Sequence, residues 1–277
     1  MRCLLAAILF LAAVPALAVT LKINGSTTVN PVVEDASEVF RARGLKVFVD
    51  TQGGSSGGIS YLAEGMADIA MSSRPISERD RQKYPGINFV SHTIGYDGVA
   101  LVVSRNLYEA GVTRLTKAQI KDLYEGKIKN WRDVGGPDRR VVFFNKEPGR
   151  GTWEVFAKYL YKKVKHAPKV FHPEVGANQE ARTKIAGHHG GITQLSASWA
   201  WNHDKVRAIE IVEDGKAIAA NFDNIASGAY PMRRPLLVIT NGQPKNASAD
   251  IVKYLRSAAG QRLVKKHGYL TISKKSS

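Results

Sequence analysis

Residues 21–44 read LKINGSTTVNPVVEDASEVFRARG, and the pattern of this stretch decides the fold class. Lys22 and Ile23 end a short strand, and Gly25-Ser26-Thr27-Thr28 is a turn of small polar residues. Pro31 then opens a helix, because its fixed φ and missing N–H suit a first turn. Val32, Ala36, Val39 and Phe40 recur at helical spacing, Arg41 and Arg43 fall in the last turn, and Gly44 suits the cap beyond. The sequence repeats the pattern. Lys46–Thr51 alternates as a strand with Val47 and Val49 on one side, and Gly53–Gly58 is a Gly/Ser turn. Ile59, Leu62 and Met66 carry a short helix, and Asp68–Met71 returns as a strand. Strands alternating with helices predict an α/β protein with a largely parallel sheet.

The same alternation continues. A charged helix after Ser77 precedes strands around Ile87–Val90 and Val99–Val103. Thr116 with Gln119 forms a capping box for a helix ending near Gly126. Val141–Phe144 is a buried strand, and Trp153, Phe156, Ala157, Leu160, Tyr161 and Val164 keep helical spacing up to Pro168. Ala208–Val212 and Leu236–Thr240 are further strands. Asp250–His267 is a last helix with Ile251, Leu255, Ala258, Ala259 and Leu263 inward.

Three segments set Gly, Ser and Thr between a strand and a helix start: Gly25–Thr28, Gly53–Gly58 and Gly149-Arg150-Gly151-Thr152. A helix start has backbone N–H groups without intrahelical partners and a partial positive charge. Glycine admits a close ligand, hydroxyls add adjustable hydrogen bonds, and an anion is the natural guest. Singly, each loop reads as an ordinary turn and cap; three in one chain point to anion binding. The Gly/Ser loop lacks the Gly-Lys-Ser/Thr ending of a nucleotide P-loop. In Met71-Ser72-Ser73-Arg74-Pro75, Arg74 presents either a planar fork to an oxyanion or an ion pair.

Charge agrees with an anionic partner. The 277 residues hold 40 Lys+Arg against 24 Asp+Glu, formally +16, and residues 114–169 alone carry 15 Lys/Arg against 6 Asp/Glu. Such an excess suits an oxyanion, nucleic acid or anionic lipid, although most surface lysines simply solvate a helix face. Residues 1–18 read as a cleaved signal peptide: Arg2, an apolar run from Leu4 to Val14, and Ala16-Leu17-Ala18 at the cleavage site. The run is short for a membrane span. Cleavage removes Cys3, the single cysteine, so the mature chain has neither disulfides nor thiolate chemistry. A freely diffusing periplasmic protein is expected.

In this order and spacing the motifs resemble one family, the phosphate-binding proteins of bacterial phosphate ABC transporters, from about Leu21 to Gly268. The resemblance rests on Gly25-Ser-Thr-Thr-Val, Gly53-Gly-Ser-Ser-Gly-Gly, Ala67-Asp-Ile-Ala-Met-Ser-Ser-Arg and Tyr96-Asp-Gly-Val-Ala. It extends through Leu115-Thr-Lys-Ala-Gln-Ile, the Gly126–Asp138 segment and Pro148-Gly-Arg-Gly-Thr. It implies a two-lobed, periplasmic-binding-protein-like fold of type II with phosphate in the interlobe cleft. Lobe 1 would comprise 19–96 plus 233–277 and lobe 2 97–232, with hinges near Tyr96–Gly98 and Tyr230–Arg234. An inner-membrane ABC permease would be the partner, with no catalysis, cofactor, metal or nucleic acid, and the protein is expected to be a monomer. The ligand set implied is Ser26, Thr27, Thr28, Ser55, Ser56, Ser73, Arg74, Lys146, Arg150, Gly151 and Thr152, with Asn178 on a polar loop near the cleft.

Two positions depart from the family. Ser73 stands where many members have a carboxylate, which accepts phosphate's retained proton and repels sulfate. Arg150 stands where serine is usual, and rim placement is expected. Another oxyanion (sulfate, molybdate or an organophosphate) therefore stays open, as does a basic protein for nucleic acid or anionic surfaces. An exported phosphate-ester hydrolase is disfavoured, since His188-His189 has no completing ligand spacing. Trp199 and Trp201, alternating about Ala200, read as a strand's outer face.

Overall fold

The computed structural model describes residues 20–201 and 203–272; the segment expected to be a signal peptide, with Cys3, lies outside these. β1 (Leu21–Gly25) buries Leu21 and Ile23 against α1 (Asn30–Arg41), which turns Val32, Val33, Ala36 and Phe40 inward. β2 (Val47–Asp50) and β3 (Ile69–Ser72) flank β1 in parallel. Between them α2 (Gly54–Ala63) begins inside the expected Gly/Ser turn. Gly53 and Gly54 take φ of 73° and 59°, so glycines absorb the sharp entry and the serines become its first turn. Met66 lies beyond the helix and is 45% exposed.

α3 (Glu78–Lys83) opens on a Ser77/Asp80 capping box. The two strands expected next are one, β4 (Phe89–Ser104). Gly95 and Gly98 lie within it because other groups crowd there. A Cβ at 95 would stand 2.7 Å from the Leu270 carbonyl oxygen, and one at 98 would stand 2.8 Å from Ile225.

The chain then forms α4 (Arg105–Glu109), β5 (Arg114–Thr116), α5 (Lys117–Tyr124), β6 (Val142–Lys146), α6 (Gly151–Tyr161), β7 (Glu174–Val175), α7 (Asn178–Ala186) and β8 (Gly191–Ser196). The Thr116/Gln119 box caps α5. The α6 helix ends at Tyr161, leaving Val164 in a separate 3-10 turn. α8 (Ala197–Ala200) contains Trp199, and Trp201 follows in a turn, so the tryptophans are not on a strand. Their indole N–H groups donate to the Tyr269 hydroxyl and the Ala220 carbonyl. β9 (Val206–Ala208), β10 (Glu210–Glu213), β11 (Lys216–Ile218) and α9 (Phe222–Ser227) lead to β12 (Arg233–Asn241). The last helix is two, α10 (Asn246–Arg256) and α11 (Ala258–Lys266), parted where Ser257 is extended and caps α11 with its hydroxyl. Ala258 is exposed there.

The main sheet runs β2-β1-β3-β12-β4-β8-β6-β7, with β9 beside β4. It is mixed rather than largely parallel. Its flanks are parallel, whereas β12 and β4 pair antiparallel with each other and with β3 and β8 respectively. These two strands carry the chain between the lobes of a mixed α/β fold. Residues 89–98 of β4 pair with β12, and 99–103 pair with β8. One apolar core gathers Ile23, Val33, Ile69, Met71, Leu236 and Ile251, a smaller one seats α2 through Ile59 and Leu62 against Ala70, Phe89, Leu237 and Ile239, and the third gathers Leu101, Leu115, Trp131, Phe143, Phe156 and Ile192.

Candidate anion site between the lobes

The β1–α1 turn and the start of α2, in one lobe, face the start of α6 and the start of α7, in the other. Together with Ser73 at the end of β3 they enclose a cavity with about 210 Å³ of atom-free space, counting its opening. None of α1, α2, α6 and α7 has a side-chain N-cap. In α1 backbone carbonyls already take the first-turn donors, Asn30 N–H to Ser26 and Val32 N–H to Val29, and in α2 Ser56 N–H goes to Gly149; the starts of α6 and α7 have no capping hydroxyl or carboxylate, which suits an anion.

Hydroxyls line the first-lobe wall. Ser26 Oγ donates to Ser73 Oγ at 3.0 Å and accepts from the Thr28 N–H, while Ser55 Oγ accepts from the Ser73 N–H at 3.1 Å. Gly151 has no room for a side chain, since a Cβ there would stand 2.5 Å from Ser55 Oγ and 2.6 Å from Ser73 Oγ. The wall from the second lobe reaches across. Asn178 donates to Thr28 Oγ1 at 3.0 Å, and Ser56 N–H donates to the Gly149 carbonyl at 3.1 Å.

Three cations lie close to this space. Arg234, at the start of β12, is fully buried, and Asp97 Oδ2 accepts from its Nε and Nη2 at 3.0 and 2.7 Å. Its remaining donors reach Thr152 Oγ1 (2.9 Å), Thr28 Oγ1 (3.2 Å) and Ser73 Oγ (3.3 Å). Arg150 pairs with Glu147 at 2.6 Å and leans over Gly54 towards the Thr51 carbonyl, at the rim. Lys146, at the end of β6, is 1% exposed and donates to the Gly176 and Ala177 carbonyls, both at 2.9 Å. Burial, aided by Arg150 and Arg234, pushes its ammonium down to about 7.

Of the residues expected from sequence, Ser26, Thr27, Thr28, Ser55, Ser73, Lys146, Arg150, Gly151 and Thr152 line this one cavity, with Asn178 beside them. Ser56 and Arg74 do not. Arg74 turns behind the wall, where its guanidinium meets both Asp80 oxygens, Glu154 Oε2 at 2.9 Å and Ser56 Oγ. Ser56 Oγ donates onward to Glu154 Oε1 at 3.0 Å. Burial raises the Glu154 carboxyl against the pull of Arg74. Asp80 is held below the usual carboxylate range, Arg74 outweighing burial. This cluster is an ion pair across the cleft, set apart from the residues that line the cavity. Sequence reasoning missed Arg234 and Asp97, which stand 137 positions apart. In the sequence Tyr96-Asp-Gly stands out only as part of a motif and Arg234 only as the end of an expected hinge. Among the described residues, no group of three His, Cys, Asp or Glu is placed to hold a metal ion.

Comparison with known proteins gives this fold its relatives. The chain is 28% identical over 256 residues to the phosphate-binding protein PstS of Bacillus subtilis, covering 92% of this chain and 81% of that protein. A putative phosphate ABC transporter substrate-binding protein of Clostridium perfringens, solved with bound phosphate, superposes with a TM-score of 0.79 at 29% identity, covering 92% of this chain and all of that one. An ABC-type phosphate transport receptor of Vibrio cholerae gives 0.70 at 26% identity over 91% of this chain and all of the other. The family model described as the PBP superfamily domain matches residues 12–259, so this chain belongs to the PBP superfamily.

Proposed function

We propose that the chain is an exported substrate-binding protein that captures inorganic phosphate between its lobes and delivers it to an ABC importer. The observation that carries this reading is the shared cavity: both lobes contribute hydroxyls and helix starts to one space, with the Arg234 guanidinium behind the Thr28, Ser73 and Thr152 hydroxyls. Such a site binds a small desolvated tetrahedral oxyanion through directed donors. The lobes are divided at 96/97 and 232/233, where β4 and β12 cross, and closure about these strands is the signal a permease reads. Relatives are described as phosphate-binding and substrate-binding proteins, and this supports a protein that captures and releases its guest. It works as a monomer outside the inner membrane.

Calorimetric titration with phosphate and with sulfate tests the reading. Saturable heat with phosphate and much weaker heat with sulfate is expected; no heat with phosphate overturns it. Because Ser73 both donates and accepts, a second reading keeps the same cleft but assigns another oxyanion, for which the phosphate and sulfate responses would be equal or reversed. Retention on DNA that collapses with added salt would instead favour nucleic-acid binding.

A further inference from the structure

Of the 15 Lys and Arg between residues 114 and 169, only Lys146 and Arg150 line the cavity. Five others, Lys158, Lys162, Lys163, Lys165 and Lys169, fall in a stretch from Val155 to Pro173 that holds no Asp or Glu. All five are exposed. The ion pairs formed nearby use other lysines: Lys121 and Lys127 hold Glu125, and Lys127 also holds Asp122. Lys158 and Lys162 close α6, where a cation suits the carbonyl end of a helix. Lys163, Lys165 and Lys169 lie beyond that helix.

An aromatic ring projects from the same stretch. Phe171 is 99% exposed, and Phe48, the next most exposed phenylalanine among the described residues, only 59%. Its neighbours hold it there. His172 turns inward, its Nε2 donating to the Tyr124 carbonyl and its ring centroid 5.3 and 5.2 Å from those of Tyr124 and Phe143. The Pro173 carbonyl accepts from the Asn145 N–H of β6 at 2.9 Å. A phenyl ring left in water forfeits what burial would contribute, and a solvated lysine face does not account for it.

We propose that this end of lobe 2 is a docking surface for an anionic lipid bilayer, with the lysines on headgroup phosphates and Phe171 at the edge of the acyl chains. Charge complementarity selects the partner. Clustered lysines are attracted to an anionic membrane, and an apolar side chain among them enters the headgroup boundary. A ring projecting clear of the surface suits a soft planar interface. Nucleic acid is the poorer fit, since strand binders stack successive bases on several aromatic faces within a groove. The surface lies at the opposite end of α6 from Gly151, and the 11 residues of that helix span about 16 Å. Docking there does not use the cavity, so the inference stands apart from the phosphate reading.

Flotation of the full mature chain with vesicles tests it, comparing phosphatidylcholine alone with a mixture containing one-third phosphatidylglycerol. Wild type is expected to float only with the anionic vesicles and to ignore millimolar phosphate. It should be released in about 1 M salt, where the Debye length falls to about 3 Å. Lys163→Gln with Lys165→Gln and Lys169→Gln should weaken partitioning about 100-fold. Phe171→Ala should weaken it about tenfold at unchanged charge, and both variants should titrate phosphate as wild type does. Lys253→Gln with Arg262→Gln and Lys265→Gln makes the same charge change at exposed positions of α10 and α11 and should leave partitioning near wild type. Wild type that ignores anionic vesicles overturns the proposal. So does an equal loss in the α10–α11 variant, which would make net charge alone responsible. Release by millimolar phosphate would place a headgroup phosphate in the cleft instead. Unchanged partitioning of Phe171→Ala, with retention of wild type on duplex DNA, would give the surface to nucleic acid. Either result overturns the bilayer as its partner.

Discussion

Arg234 and Arg74 are both buried guanidinium groups beside one hydroxyl-lined cleft, yet their surroundings give them opposite work. Arg234 has one carboxylate, which takes Nε and one Nη2 bond, and its other contacts are neutral hydroxyls on both lobes. Those hydroxyls can rotate to answer a guest. Arg74 has two carboxylates, Asp80 in its own lobe and Glu154 across the cleft, besides Ser56 and the Pro75 carbonyl. Its charge is overbalanced, so it has nothing to offer an anion and acts as a clamp. A planar cation becomes a ligand group only where its partners leave charge or donors over.

The strongest way to break this contrast is Arg234→Met. It removes the guanidinium behind the cavity's hydroxyl wall and leaves Asp97 buried without its partner, a loss of about 3–5 kcal/mol for a buried pair. Phosphate affinity should fall by about 10²–10³-fold, and thermal stability should fall with it. Arg234→Met with Asp97→Leu should recover melting temperature without recovering binding. Calorimetry and a melting curve on both variants separate the ligand role from the structural one. Phosphate binding that survives Arg234→Met would refute the contrast.

Glu154→Ala should do less. Arg74 keeps its two-point contact with Asp80, but the cross-cleft bridge and the acceptor for Ser56 go. A hydrogen bond to a charged group contributes about 1.5–3 kcal/mol, so affinity should weaken about 10–100-fold. Because the bridge exists only between closed lobes, the change should appear chiefly in the dissociation rate by stopped flow. An equal slowing of association instead would place Glu154 in the cavity's own field.

The difference between the two arginines also explains what the sequence made legible. The Gly/Ser/Thr segments were readable because the chemistry of a helix start is local, and the structure brings all three to one cavity. Arg74 was read as a ligand although Ser77 and Asp80 follow closely. That capping box places a carboxylate within reach of Arg74, a local signal that favoured the ion pair. Arg234 carried no local signal at all: its partners Thr152, Asp97 and Thr28 lie 82, 137 and 206 positions away. The same holds for the strands. Gly95 and Gly98 look like breaks in β4 until Leu270 and Ile225 are seen packed against them. Sheet direction was misjudged because β12 returns antiparallel from the far end of the chain.

Ser73→Asp makes the smallest change and sharpens the contrast most finely, since it gives Arg234 a second carboxylate and moves it one step towards the state of Arg74. Ser26 Oγ, Ser55 Oγ and Arg234 Nη1 already surround Ser73 Oγ at 3.0, 3.4 and 3.3 Å, so an aspartate there finds donors at once. Part of the positive field that now faces the guest would then be answered from within, and total anion affinity should drop a few-fold. The new carboxylate can still accept the proton that phosphate retains near neutral pH, whereas sulfate brings none and meets only repulsion. The phosphate-to-sulfate affinity ratio should therefore rise about tenfold, a difference of about 1.4 kcal/mol, in paired calorimetric titrations. If both affinities fell together with the ratio unchanged, Ser73 would be tuning Arg234 without touching the guest. That result would move the proton-reading position elsewhere in the cavity wall.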